Sequence, residues 1–193
     1  MPSPPPQLLP RSPYNPVWNL VTIVVLLWGI QLVNVGLFDG RLILNGIYPR
    51  QLDELQGILW APFLHGDFGH LLANTFPIII LGGLVMLGQA EDFWVVTGLS
   101  ALASGLGTWL VGAPNSIHIG ASGVVFGYFG YLLLRGYFDR SAFSVTASLL
   151  VIIFYGSFLW GVLPTQPGVS WEGHLFGFIG GGVSAWLLSK SAR

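Results

Sequence analysis

Four side chains that together could hydrolyse a peptide bond lie far apart in the sequence: Ser122, His174, His70 and Asn74. A serine attacks a carbonyl carbon when a neighbouring base takes its proton, and the oxyanion that forms needs hydrogen-bond donors. Ser122 would be the nucleophile and His174 the base. His70, Asn74 and the backbone N–H of Ser122 would hold the oxyanion. The set predicts a Ser–His dyad, provided that the fold brings its members together.

Ser122 lies in a Gly-x-Ser-Gly pattern that opens with Gly120. The same segment favours close packing of membrane helices, because Gly123 and Gly127 form a GxxxG pair. A nucleophile and a helix contact are both open interpretations of this pattern, and they are compatible with each other.

His174 is followed by Gly177 and Gly181, which share its helical face. A face of glycines lets another backbone come close, so we expect His174 to face a neighbouring helix rather than lipid. A histidine that is merely hydrogen-bonded at the membrane surface is the alternative. Glu172 is only two residues away and would point elsewhere on the helix, which favours a dyad over a triad.

His70 and Asn74 are four residues apart, so on a helix they share a face and can donate hydrogen bonds to one point. For His65, five residues before His70, the simpler interpretation is that its ring holds loop backbone in place. His118 lies four residues before Ser122 and is a competing candidate for the base.

The composition restricts the class of protein in which these residues work. Of 193 residues, 53% are hydrophobic and only 8% are charged, against about 25% charged residues in a typical soluble domain. The net charge of −1 provides no basic face for a nucleic acid. The absence of cysteine excludes disulfides and Cys-ligated metal sites. An integral membrane protein remains.

A membrane helix needs about 20 mainly apolar residues, and six stretches qualify as spans. The predicted spans are residues 17–38, 71–88, 93–111, 122–137, 141–163 and 171–189. The sequence therefore predicts an all-α, polytopic membrane protein built as a six-helix bundle.

The predicted organisation is one domain over residues 17–190, preceded by a disordered, Pro-rich cytoplasmic tail over residues 1–16. The connection at residues 39–69 is a long outer loop. Within it Leu52, Leu55 and Leu59 follow a helical period, which predicts a short helix lying in the membrane interface.

An even number of spans puts both termini on one side of the membrane. If that side is the cytoplasm, the inner segments carry five basic residues, which are Arg11, Arg135, Arg140, Lys190 and Arg193. The outer loops then carry two, Arg41 and Arg50, which agrees with the positive-inside rule. A bacterial inner membrane is the expected location. In this topology all four histidines fall at the outer ends of the spans.

The order of these motifs resembles the rhomboid family of intramembrane serine proteases, over about residues 39–189. The resemblance implies that Ser122 and His174 form the catalytic dyad and that His70 and Asn74 hold the oxyanion. It also implies that residues 141–163 and the loop 164–170 are a mobile gate and cap. The substrates would be single membrane helices of other proteins, cut within the bilayer near the outer face, with no cofactor, metal or nucleic acid involved.

Two positions depart from the family pattern. The long first loop reads Tyr48-Pro49-Arg50 where relatives commonly carry a Trp-Arg pair. Phe126 stands where relatives often place a tyrosine against the catalytic histidine, and its ring can still stack on that histidine. Gly120, His65 and Phe126 are therefore expected to have structural or accessory roles.

Two other functions are compatible with parts of the sequence. A metal-dependent membrane enzyme or transporter could use the four histidines, although no His-Glu-x-x-His motif is present. A non-catalytic relative that binds membrane helices would lack the serine or the histidine, and this chain has both.

Overall fold

The computed structural model describes residues 16–165 and 168–191, and within these ranges the chain is helical without a β-strand. Its helices are α1 (Val17–Phe38), α2 (Gly57–Trp60), α3 (Phe68–Gly88), α4 (Asp92–Val111), α5 (Ser122–Asp139), α6 (Ala142–Tyr155) and α7 (Trp171–Ser191). The prediction of an all-helical membrane bundle is confirmed. Nearly all of the predicted tail, residues 1–15, lies outside the described residues.

Four helical segments in the described part of the chain are long and apolar enough to cross a membrane: α1, α3, α4 and the segment Ala142–Val162. The other two long helices, α5 and α7, are rich in glycine and form the interior of the bundle. Helices shielded by others need less apolar surface than those that face lipid. That all six cross the membrane stays a prediction.

α5 and α7 pack with their backbones in direct contact. A Cβ atom added at Gly177 would overlap the carbonyl oxygen of Gly123, and one added at Gly181 would overlap that of Gly127. The two pairs are spaced one helical turn apart, as expected when small residues line both faces of a helix contact. We call this contact, formed by Gly123 and Gly127 of α5 and Gly177 and Gly181 of α7, the glycine seam. It fixes the position of α5, which begins with Ser122, relative to α7, which carries His174 in its first turn.

The predicted fifth span is not one continuous α-helix. α6 ends at Tyr155, and the chain continues as a 3-10 segment, Gly156–Val162. Glycine weakens the interior of an α-helix, and Gly156 stands where the change occurs. The 3-10 segment carries Gly161 to the end of the bundle where α5 and α7 begin, close to Phe126 and His174.

The long connection between α1 and α3 is a series of short turns rather than one interfacial helix. It contains 3-10 turns at Arg41–Asn45, Leu52–Glu54 and Ala61–Phe63, together with α2. Leu52, Leu55 and Leu59 are all exposed, and their location in the membrane interface stays a prediction.

This connection is also bonded to the loop that precedes α5. Ile47 and His118 exchange two backbone hydrogen bonds of 2.9 and 3.0 Å, and the N–H of Gly120 donates to the carbonyl of Ala61 at 2.8 Å. The connection therefore holds in place the backbone that leads into Ser122.

Arg135, counted from the sequence as a basic residue of an inner segment, belongs to α5, and its side chain is buried among the helices. One of its terminal guanidinium nitrogens lies 2.6 Å from a carboxylate oxygen of Asp92, which also accepts a hydrogen bond of 2.6 Å from the Tyr131 hydroxyl. A charge at this depth requires such a partner. The cluster lies near the end of α5 opposite to Ser122.

Candidate active site

Ser122 and His174 lie in hydrogen-bond contact at one end of the bundle. Ser122 is the first residue of α5, and His174 lies in the first turn of α7. The Oγ atom of Ser122 is 2.9 Å from Nε2 of His174, which is only 8% exposed. The glycine seam places the two helix starts side by side, so residues 52 positions apart in sequence come together.

The other ring nitrogen of His174 faces the 3-10 segment. Nδ1 lies 2.8 Å from the carbonyl oxygen of Gly161. A carbonyl oxygen only accepts hydrogen bonds, so Nδ1 carries the hydrogen and Nε2 presents its lone pair to Ser122. Sequence reasoning did not identify Gly161, because the group involved is a backbone carbonyl that any residue type would supply.

An aromatic stack fixes the plane of the imidazole. The ring centroids of Phe126 and His174 are 4.0 Å apart with an angle of 7° between the planes, and the Phe158 ring stacks on Phe126 at a centroid distance of 5.1 Å. Phe126 lies one turn after Ser122 on α5, so the same helix carries the serine and the ring that orients its partner.

His70 and Asn74 lie on the first two turns of α3, beside the backbone that precedes Ser122. The Asp67 carboxylate caps this helix by accepting a 2.7 Å hydrogen bond from the His70 N–H. Gly120 has a φ of +113°, and a Cβ added there would lie 2.7 Å from Nε2 of His70. Gly120 is thus needed both for its backbone conformation and for the space that the His70 ring occupies.

His65 is completely buried behind this region. Its Nε2 atom accepts the N–H of Ala121 at 3.4 Å, and its ring meets the edge of the His70 ring with centroids 5.0 Å apart. Burial, together with the proximity of His70, lowers the pKa of His65 from 6.5 to about 4. His65 thus contacts the backbone of the residue before Ser122, and its role in holding loop backbone stays a prediction.

His118 is engaged elsewhere and does not contact Ser122. Its Nε2 atom lies 2.7 Å from Oγ of Ser116, and its Nδ1 atom lies 2.8 Å from Oγ of Ser170. With both ring nitrogens occupied, neither is free to take the proton of Ser122. Burial lowers the pKa of His118 below 6.5, although the nearby Glu172 carboxylate opposes this.

The proposed site residues open onto a common cavity of about 790 Å³. Ser122, His174, His70 and Asn74 all contribute to its wall, and so does His118. Within residues 16–165 and 168–191, no three histidine, cysteine, aspartate or glutamate side chains come together as metal ligands would. The arrangement brings a serine hydroxyl, the ring of His174 and the side chains of His70 and Asn74 to one cavity.

Comparison with known proteins places this arrangement in context. Residues 52–191 match the family described as the Rhomboid domain. An uncharacterized protein of Mycobacterium tuberculosis is 39% identical over 202 residues, covering 95% of this chain and 84% of its own length. RHOMBOID-like protein 4 of Arabidopsis thaliana is 30% identical over 82% of this chain and 39% of its own. Rhomboid-like protease 5 of Toxoplasma gondii is 28% identical over a region that covers 75% of this chain and 17% of its own length.

Proposed function

Because the chain belongs to the rhomboid family of intramembrane serine proteases, we propose that it is an endopeptidase that cuts membrane helices with a Ser122–His174 dyad. Family membership implies a hydrolase that is embedded in the bilayer and acts on membrane proteins there. The assignment of the dyad, the oxyanion donors and the cutting position to this chain is our proposal.

The contact of 2.9 Å between Ser122 Oγ and His174 Nε2 is the observation that supports the proposal most directly. Oγ would attack the scissile carbonyl carbon while its proton passes to Nε2. The resulting imidazolium then gives this proton to the leaving amine as the peptide C–N bond breaks. Water, activated by the same nitrogen, hydrolyses the acyl-enzyme and restores the serine.

The negative charge that develops on the substrate oxygen needs donors that are already in place. Nε2–H of His70, Nδ2 of Asn74 and the backbone N–H of Ser122 are the proposed donors. Asn74 is buried and its Nδ2 donates to the His70 carbonyl at 3.3 Å, a long bond that a stronger acceptor can replace. The cavity shared with Ser122 gives these groups access to one reacting carbonyl.

We place the cut near the outer face of the membrane, with both termini of the chain in the cytoplasm and the protein in a bacterial inner membrane. Helical substrates hide their carbonyls in hydrogen bonds, so they must unwind before a serine can attack. The proposed route of substrate into the cavity is past residues 141–163 and the loop 164–170, of which residues 166–167 lie outside the described ranges.

The proposal is tested with purified protein in detergent, using a fluorophosphonate probe and a reporter protein with one transmembrane helix. Ser122→Ala and His174→Ala should each abolish labelling and cleavage, whereas a chelator should change neither. His118→Ala is the matched control and should still be labelled. Labelling that persists in His174→Ala but disappears in His118→Ala would overturn the assignment of the base, and loss of activity with chelator would favour a metal enzyme.

A further inference from the structure

The cavity wall around the dyad carries negative but no permanent positive charge. Asp67 and Glu172 contribute carboxylates to it, whereas no lysine or arginine is found among the described residues that line it. Asp67 is exposed to solvent and its carboxylate caps α3 through the N–H of His70. Glu172 differs because it is only 5% exposed.

Glu172 has little to compensate its charge. Its one hydrogen-bond contact among the described residues joins Oε2 to Oγ of Ser170 at 3.5 Å, which is long for an O–H···O bond. Both ion pairs found in the described ranges involve Arg135, near the other end of α5. A nearly buried carboxylate without a cation is costly, and this cost falls when a cation comes close.

The hydrogen bonds around His118 leave Ser170 without a hydrogen to donate to Glu172. The Ser116 hydroxyl donates its single hydrogen to the carbonyl of Ala113 at 2.6 Å, so the His118 Nε2–H must donate to Ser116. In a neutral imidazole Nδ1 is then an acceptor, and it takes the hydrogen of Ser170 at 2.8 Å. Ser170 has no second hydrogen to give to Glu172.

We propose that Glu172 is a specificity-determining residue, which gives the site a preference for substrates with a lysine or arginine side chain close to the scissile bond. The inference rests on the proposed protease function, because the cation is supplied by the peptide that enters the cavity of Ser122. A basic side chain next to Glu172 supplies the countercharge that this nearly buried carboxylate lacks, whereas an acidic side chain at that point is repelled.

A purely structural role would not produce this preference. Glu172 lies in the first turn of α7, where a negative charge is favourable for any helix. Loss of that effect would lower thermal stability and would alter the cleavage of all substrates alike. The discriminating quantity is therefore the ratio of kcat/KM for two substrates that differ only in charge, measured within one enzyme variant.

The experiment uses reporter helices that are identical except at one position, scanned over the three residues on each side of the cut bond. Each position carries lysine, glutamine or glutamate. We expect the wild-type enzyme to prefer lysine over glutamate by about tenfold at one or two positions, which corresponds to about 1.4 kcal/mol. In Glu172→Gln the ratio should fall close to one at those positions.

Glu54→Gln is the matched control, because it removes the same charge outside the cavity and should keep the wild-type ratio. Glu172→Met serves as a second variant if the amide prevents labelling of Ser122. A wild-type ratio near one at every position overturns the inference, and so does a ratio that survives the loss of Glu172. Failure of the glutamine reporters to be cut at all would instead contradict the protease function itself.

Discussion

The carbonyl oxygen of Gly161 lies 2.8 Å from Nδ1 of His174, on the side of the ring opposite to Ser122. In a Ser–His–Asp triad a carboxylate occupies this place and selects the tautomer of the histidine. Here a backbone carbonyl makes the same selection without a charge. The basic nitrogen of the proposed dyad is therefore oriented by the segment that follows α6.

Enlarging Gly161 should disturb the dyad although neither Ser122 nor His174 is substituted. A Cβ atom at this position would lie 2.6 Å from Cζ of Phe126 and 3.5 Å from Nδ1 of His174. We expect Gly161→Ala to lower kcat by about 100-fold, the order of loss that a displacement of about 1 Å causes. Gly156→Ala, in the same 3-10 segment but with nothing within 4 Å, should retain full activity. Equal rates for both variants would show that the Gly161 contact is dispensable.

Removing the ring that stacks on His174 should slow the attack of Ser122. Phe126→Leu keeps an apolar side chain but loses the parallel contact of 4.0 Å, so the imidazole can tilt away from the serine. We expect the rate of fluorophosphonate labelling to fall about tenfold, with protein folding unchanged. Phe154→Leu makes the same change at a side chain that is 74% exposed, and its labelling rate should match the wild type.

Asn74→Ala tests the proposed oxyanion donor. Loss of one such donor lowers kcat by about 100- to 1000-fold, while binding of the substrate changes little. Steady-state cleavage of the reporter helix should therefore show the loss in kcat rather than in KM. Asn45→Ala removes an exposed amide in the connection between α1 and α3 and should leave both constants unchanged. A wild-type kcat in Asn74→Ala would remove Asn74 from the site.

His65 should make the fold sensitive to acid. Its pKa is about 4 in the folded protein and about 6.5 in the unfolded chain, so the unfolded chain binds the proton more readily. The stability linked to the neutral ring is complete above about pH 6.5 and is lost as the pH falls to about 4. This difference corresponds to about 3 kcal/mol of folding free energy.

The measurement is the midpoint of thermal unfolding in detergent as a function of pH. His65→Gln keeps an acceptor for the Ala121 N–H but does not titrate, so its midpoint should fall less than that of the wild type between pH 6.5 and 4. Parallel curves for the two proteins would contradict the predicted contribution of His65.

The sequence predicted those features that depend on long patterns of residue type. Apolar runs predicted where the six long helices lie, and the spacing of Gly177 and Gly181 predicted that α7 would approach another backbone. That Ser122 and His174 lie at the same end of the bundle follows from the helix count and the order of the helices. Patterns of this kind are visible in sequence because each depends on many residues at once.

Features that depend on a single backbone group or on side-chain pairing were not predicted. The contact from Gly161 involves a carbonyl that every residue possesses, and it exists only because the chain after Tyr155 winds as a 3-10 helix. The ion pair between Arg135 and Asp92 was not predicted either, because the two residues are 43 positions apart and only the packing of the helices brings them together. Both depend on how neighbouring helices are rotated, which hydropathy does not encode.

The glycine seam between α5 and α7 also limits how this sequence can evolve. At Gly177 and Gly181 even a methyl group would push apart two backbones whose separation sets the distance from serine to histidine. Amino-acid substitutions should therefore be tolerated on the outward faces of α1 and α6 and nearly forbidden at the glycines between α5 and α7. The least variable positions of the enzyme would then include residues that take no part in its chemistry.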